Sequence, residues 1–253
     1  MPRSIKKIAF LFLSISLFNS CKEKKLTVTK ISANTIAIDS TLETDNSYNS
    51  IIKPFKEKMM TEVNTKISFT KTDLVRNDGV LESSLGNLIA DLSYERANPI
   101  FNKLTGRNID FAMFNYGGIR AGITAGNVTN KNAFELMPFE NMLVVVELGG
   151  EKMNELIQYL QKNNTAHPVS KQFRLTLTDN NYTLKINTKN FDKEKSYFVL
   201  TSDYLQSGGD NMVFFKNPLQ RISLEYKFRD AIVDYFKSVD TLRSVLDGRI
   251  KRK

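Results

Sequence analysis

The sequence predicts an α+β fold: a single domain of mixed sheets flanked by helices. Segments with helical spacing of apolar residues alternate along the chain with short apolar runs of strand length. One segment has the alternation and the turn residues of a β-hairpin. With 253 residues, of which 41% are hydrophobic, the chain is long enough to bury a sizeable core.

The start of the chain has the pattern of a secretory signal peptide. A basic start is followed by an apolar run over residues 8–18, which is too short to span a bilayer as a mature helix. Ser20 then precedes Cys21, the single cysteine, in an order that resembles a bacterial lipobox. We therefore expect residues 1–20 to be a lipoprotein signal peptide and Cys21 to be lipidated. The alternative is a soluble protein with a free thiol at this boundary.

These features predict an exported bacterial lipoprotein of the cell envelope, on its periplasmic side or its outer surface. The formal net charge of +9 would fall to +6 with the loss of residues 1–20, which hold three positive charges. Residues 22–25, KEKK, carry a further +2, and KRK at 251–253 has the pattern of a solvated tail. Because the remaining excess is small and scattered, we expect a lipid-anchored membrane association and no nucleic-acid partner.

Beyond the signal peptide, residues 21–46 are predicted to be a tether with one or two edge strands, and residues 47–253 to form the folded domain. Alternating stretches such as LTVTKI and TIAI favour the edge strands. Apolar periodicity predicts helices over residues 47–67, 83–98, 130–136, 151–162 and 226–239. Apolar runs predict strands over residues 109–114, 142–148 and 196–202, and a hairpin over 173–188.

Two predicted strands end in glycine loops that carry polar side chains. FNYGGIRAG places Asn115, Gly117, Gly118 and Arg120 after the first strand. YLQSGGDN places Tyr204, Gly208, Gly209 and Asp210 after the second. If both loops meet at one edge of a sheet, the arginine suits phosphate oxygens and the carboxylate suits the two hydroxyls of a ribose. The alternative is a pair of tight loops with solvated side chains.

Several motifs occur together in an order that resembles the C-terminal domain of bacterial and animal 5'-nucleotidases. They are ESSLGNLIADL, FNYGGIRAG with GNVT after it, LMPFENMLVVVELGGEKM and YFVLTSDYLQSGGDN. The resemblance extends from about Ser47 to the DGRI segment at 247–250, most of the mature chain. It implies a nucleoside- or nucleotide-binding domain and a role in nucleotide catabolism.

By position, the resemblance implies a role for each polar or aromatic residue of the site. Phe139 and Tyr204 would clamp the base between two aromatic faces, with Tyr204 standing where a phenylalanine is often found. Asn115 would hydrogen-bond the base edge, Arg120 would contact phosphate, and Asp210 would bind the ribose hydroxyls. The alternatives are core packing for Phe139 and capping of their own turns for Asn115 and Asp210.

The chain departs from the family pattern at two positions near these motifs. Leu81 stands where several relatives carry a second phosphate-binding arginine, and whether the upstream Arg76 replaces it is left open. Lys171 follows Ser170 where a glycine is common. Both departures make a degenerate relic, which keeps the fold without the ligand, a credible alternative.

The resemblance also implies two catalytic metal ions held by a separate N-terminal metallophosphoesterase domain. Such a site needs several histidines and aspartates, whereas this chain has one histidine, His167, predicted to be a solvated loop residue. We therefore expect no catalytic residue, metal ligand or cofactor in this chain, and divalent metals only on a partner chain. Phosphoric monoester hydrolysis would then require a separate metallophosphoesterase. The competing interpretation is a non-enzymatic lipoprotein that captures nucleosides.

Overall fold

The structure is a computed structural model that describes residues 26–43, 45–179 and 181–253. The predicted signal peptide and Cys21 lie outside the described residues. The described residues divide into two units, the first ending at Asn49 and the second extending from Ser50 to Lys253. The helices are α1 (Asn46–Val63), α2 (Ser84–Thr105), α3 (Asn130–Leu136), α4 (Gly150–Lys162), α5 (Asp203–Gln206) and α6 (Phe228–Ser238). The strands are β1 (Lys66–Thr70), β2 (Phe111–Ala112), β3 (Gly126–Thr129), β4 (Met142–Leu148), β5 (Phe173–Leu177), β6 (Tyr182–Ile186), β7 (Lys189–Asn190), β8 (Tyr197–Ser202), β9 (Gln220–Lys227) and β10 (Ile250–Arg252).

In the first unit, the predicted edge strands are absent from the described residues. Residues 26–43 contain no strand and their side chains are exposed. The local order there comes from a turn in which the Asp39 carboxylate accepts hydrogen bonds from the backbone N–H and the hydroxyl of Thr41. The edge-strand prediction was wrong because alternation makes a strand only where another strand supplies backbone hydrogen bonds.

The second unit has the predicted α+β fold, built around a four-stranded sheet in the order β2-β8-β4-β9. β2 runs parallel to β8, and β4 runs antiparallel to both of its neighbours, β8 and β9. Every residue of β8 is buried, and so are five of the seven residues of β4, as its continuous apolar sequence predicts. Helices α2 and α6 pack against each other beside this sheet.

Two smaller sheets complete the second unit. One has the order β10-β5-β6-β7 and contains the predicted hairpin, while the other pairs β1 with β3. The sequence interpretation missed β1, β3, β7, β9 and β10. β9 and β10 are polar, and each is a strand because β4 or β5 offers it a backbone edge.

Helix α2 begins where its sequence indicates and continues further than predicted. The Ser83 side chain accepts a hydrogen bond from the Gly86 N–H and so caps the start of the helix. The helix passes through Pro99 and ends at Gly106, which has φ = 70°. Pro99 is tolerated inside the helix because it lies on the exposed side, where water can hydrogen-bond the carbonyl that lacks a helical donor.

Helix α1 forms as predicted, but its apolar face does not enter the core. Ile51, Ile52, Phe55 and Met59 are exposed, and only Val63 at the end of the helix is half-buried. The apolar periodicity therefore predicted the helix correctly, but it did not predict that the apolar side chains are exposed. Within the described ranges, none of the helices combines the length and hydrophobicity needed to span a bilayer.

The ESSLGNL motif fastens the C-terminal segment to the start of α2. The Glu82 carboxylate accepts hydrogen bonds from the backbone N–H groups of Asp247 and Gly248, at 3.1 and 2.7 Å. Asn87 donates to Glu82 and to the Val245 carbonyl, both at 2.9 Å. These residues therefore have a structural role: they hold the loop that leads into β10.

Candidate nucleotide-binding cleft

The topology of the central sheet brings three separate segments to one edge. Because β2 and β8 are parallel, the loops that follow them leave the sheet at the same edge. β4 is antiparallel to β8, with Leu143 opposite Ser202, so the segment that precedes β4 reaches that edge as well. The two glycine loops therefore meet, as predicted, and the MPFEN segment meets them there.

A cleft of about 250 Å³ lies where these segments meet. It is lined by Asn115, Gly117, Gly118, Arg120, Phe139, Asn141, Tyr204 and Asp210. All of these except Asn141 were singled out from the sequence. Asn141 was missed, although it stands two residues after Phe139 and directly before β4. Gly208 and Gly209 shape the loop that carries Asp210.

The first glycine loop fixes the position of the Asn115 amide. Asn115 is 9% exposed, and its amide N–H donates to Asp210 Oδ2 at 2.6 Å. A side chain at Gly118 would bring a Cβ within 2.7 Å of Asn115 Oδ1, so only glycine leaves room for this orientation. The loop thus holds Asn115 against the acid of the second loop.

The second glycine loop presents Asp210 in an uncommon backbone conformation. Gly208 has φ = 95°, and Asp210 itself has φ = 51°, in the left-handed region. Its carboxylate accepts a hydrogen bond from the Tyr204 hydroxyl at 2.9 Å in addition to the one from Asn115. The turn-capping alternative is therefore not what the structure shows, because side chains rather than turn N–H groups engage this carboxylate. The same hydrogen bond raises the pKa of Tyr204 above its ordinary value.

Both aromatic residues line the cleft and are partly exposed. Phe139 is 39% exposed and Tyr204 is 44% exposed, so core packing does not account for Phe139. The guanidinium of Arg120 lies 5.9 Å from the centre of the Phe139 ring, and its Nη1 donates to the Gly117 carbonyl at 3.3 Å. The cleft therefore combines stacking faces, a cation and an anion.

The buried Arg229 positions the segment that carries Phe139. Its Nη1 donates to the Met137 and Phe139 carbonyls, and its Nη2 pairs with Glu140. Hydrogen bonds from Lys227 and from Arg229 lower the pKa of Glu140 to about 2. Sequence reasoning missed this role, because Arg229 lies 89 residues from Glu140 and no local pattern connects the two.

His167 is buried, so the prediction of a solvated loop residue was wrong. Only 5% of it is exposed, its ring centre lies 5.4 Å from that of Tyr159, and its Nδ1 accepts the Tyr116 N–H at 3.2 Å. Burial lowers its pKa to about 4, with an opposing contribution from the charge of Asp210. His167 is therefore neutral, and its Nδ1 holds the first glycine loop through the Tyr116 N–H.

Two further residues brace the cleft. The guanidinium of Arg76 lies 4.5 Å from the centre of the Tyr116 ring and donates a hydrogen bond to the Ile119 carbonyl at 2.6 Å. Arg76 therefore binds the first glycine loop of its own chain. The Tyr159 hydroxyl donates to the Asp210 carbonyl at 3.2 Å. The positions where the sequence departs from the family pattern, Leu81 and Lys171, line other surface depressions.

A metal centre would need several ligating side chains close together. Across the residues that the structure describes, no group of three or more His, Cys, Asp or Glu side chains is arranged to hold a metal ion.

The structure is therefore an α+β domain with a cleft at one edge of its central sheet. The sequence profile of the family described as 5'-nucleotidase, C-terminal domain, matches residues 59–217, more than half of the chain. The chain therefore belongs to this family, and the resemblance inferred from its motifs is confirmed.

Individual relatives agree with this assignment. The chain is 28% identical over 244 residues to the trifunctional nucleotide phosphoesterase protein YfkN of Bacillus subtilis, covering 88% of this chain and 16% of that protein. It is 25% identical over 251 residues to a 5'-nucleotidase-related protein of Glossina morsitans morsitans, covering 90% and 45%. The crystal structure of a 5'-nucleotidase precursor from Thermus thermophilus superposes with a TM-score of 0.63 at 25% identity, covering 82% and 43%. The chain thus spans less than half of the length of each of these proteins.

Proposed function

We propose that this chain recognises nucleosides or nucleotides for a 5'-nucleotidase-type system and acts with a separate metallophosphoesterase chain. The base would stack between Phe139 and Tyr204, the ribose hydroxyls would bond to Asp210, and phosphate would contact Arg120. The observation that carries the proposal is the convergence of these side chains from three segments into one cleft. Membership in the 5'-nucleotidase C-terminal domain family supports it.

The chemistry of the cleft matches the parts of a nucleotide. A purine or pyrimidine has two π-faces, and stacking on an aromatic side chain contributes about 1–3 kcal/mol per base. The Asp210 carboxylate accepts hydrogen bonds and a ribose diol donates two. The Arg120 guanidinium offers a planar set of donors to phosphate oxygens. Asn115 and Asn141 add amide groups to the lining of the cleft.

The proposed metallophosphoesterase partner is inferred from the family resemblance and from the length of the relatives. In the resemblance, the catalytic metal ions lie in an N-terminal metallophosphoesterase domain, and the relatives named above are more than twice as long as the part that this chain matches. A chain of this kind would supply substrate recognition, while the partner would supply the metal ions that polarise the phosphate and activate water. A lipid at Cys21 would hold the complex at the cell envelope.

Ligand binding is tested by titration calorimetry of the purified full chain with adenosine and with AMP. We expect Phe139→Ala and Asp210→Ala each to weaken binding at least tenfold, because each removes one of the proposed contacts with base or ribose. Phe55→Ala removes an exposed aromatic ring that does not line the cleft and should leave the affinity unchanged. Absence of binding at millimolar ligand would overturn the proposal.

The division of labour is tested by assaying phosphate release from AMP. The purified chain with Mn²⁺, Zn²⁺ or Mg²⁺ should release none, and a metallophosphoesterase should co-purify with it from the native membrane. AMP hydrolysis that persists after contaminating hydrolases are removed would contradict the assignment of catalysis to a partner. Ligand binding without a co-purifying enzyme would instead support a nucleoside-capturing lipoprotein.

A further inference from the structure

Both carboxylate oxygens of Asp210 are already engaged within the cleft. Oδ1 accepts the Tyr204 hydroxyl at 2.9 Å and Oδ2 accepts the Asn115 amide at 2.6 Å. A carboxylate has about four lone-pair positions, so these bonds leave it only part of its accepting capacity. A vicinal diol that places one hydroxyl on each oxygen must share Oδ1 with Tyr204 or displace it.

The Tyr204 ring is held in place independently of its hydroxyl. A Cβ added at Gly209 would lie 2.5 Å from the ring atoms Cε1 and Cζ, so the ring rests directly on the Gly209 backbone. Ser202 also caps the short helix α5, on which Tyr204 lies, by accepting the Leu205 N–H. Removing the hydroxyl therefore leaves the stacking face where it is and frees one oxygen of Asp210.

We infer that the Tyr204 hydroxyl is a specificity determinant that competes with the ribose diol for Asp210. This inference rests on the proposed function. In the free protein the hydroxyl holds the acid towards Tyr204, and a ribonucleoside binds at the cost of that hydrogen bond. A ligand without the diol meets no such cost, so the hydroxyl lowers the affinity for a ribonucleoside relative to that for a dideoxyribonucleoside.

The size of the effect follows from the exposure of the acid. Asp210 and Tyr204 are both exposed, so water replaces part of the broken bond and the net contribution is that of an ordinary hydrogen bond, about 1 kcal/mol. That corresponds to about a fivefold change in affinity. We expect Tyr204→Phe to bind adenosine about fivefold more tightly than the unaltered chain and 2',3'-dideoxyadenosine with unchanged affinity.

A matched control is available on β9. The Tyr226 hydroxyl also donates to a carboxylate, Asp234 Oδ2 at 2.6 Å, and it does not line the cleft. Tyr226→Phe loses the same kind of bond and should leave both affinities unchanged. In an Asp210→Asn background, Tyr204→Phe should no longer favour adenosine over the dideoxy ligand, because the contested carboxylate is gone.

Calorimetry with these variants separates the inference from the proposed function. If the unaltered chain binds adenosine through Phe139 and Asp210 but Tyr204→Phe binds it equally or less tightly, the competition is refuted and nucleoside recognition stands. An equal gain for both ligands would likewise refute competition for the diol. If neither the unaltered chain nor any variant binds adenosine, the proposed function fails and the inference fails with it.

Discussion

Replacing Arg249 by methionine is expected to lower the free energy of unfolding by about 3 kcal/mol. Arg249 is only 3% exposed, and all five of its guanidinium N–H donors are used. They bond to Asp91, to Asp247 and to the Val169 carbonyl at 2.8–3.1 Å. Methionine would fill much of the space but leave a buried carbonyl and two partly buried carboxylates without this partner.

The magnitude is at the low end of the usual range for breaking a buried ion pair, because both acids keep some contact with water. Arg174→Met is the matched control. Arg174 bonds the same Asp247 carboxylate at 3.1 Å, but its side chain is 43% exposed, so the loss should stay below about 1 kcal/mol. Urea unfolding of the full chain measures both variants. Equal losses of unfolding free energy in the two variants would show that the burial of Arg249 adds nothing to the stability of the fold.

Acidification from pH 7 to pH 4 is expected to destabilise the fold through His167 by roughly 3 kcal/mol. The folded-state pKa of His167 is about 4, because burial disfavours the imidazolium, whereas the ordinary value is 6.5. Between these pH values the unfolded chain binds a proton that the folded chain does not. This contribution to stability is therefore complete above pH 6.5 and is lost as the pH falls towards 4.

The variant His167→Asn isolates this contribution. Its amide oxygen can accept the Tyr116 N–H in place of Nδ1, and its side chain does not titrate. Urea unfolding at several pH values should show a steep loss of stability between pH 6.5 and 4 in the unaltered chain and a much shallower one in the variant. Glu140 and Asp247, two of the carboxyl groups with lowered pKa, lose their contributions at lower pH and affect both proteins alike. Parallel profiles would contradict the burial of a neutral His167.

Local sequence determined much of the fold and the composition of the cleft. The continuous apolar run at 142–148 predicted β4 within its observed bounds, and the helix predicted from residue 83 onward located the start of α2 to within one residue. These features depend on apolar periodicity, steric preference and capping within a few residues, which a single sequence displays directly. The two glycine loops were equally visible, and the order of the motifs indicated which of their side chains belong to one site.

Tertiary structure alone decided which of these features are buried and how the cleft side chains are bonded. The apolar face of α1 is exposed and His167 is buried, each against its local pattern. Asp210 is bonded by Asn115, 95 residues away, and the Phe139 segment is held by Arg229, 90 residues away. Burial and hydrogen-bond partners depend on which distant segments the fold brings into contact, and periodicity within a short stretch carries no information about them.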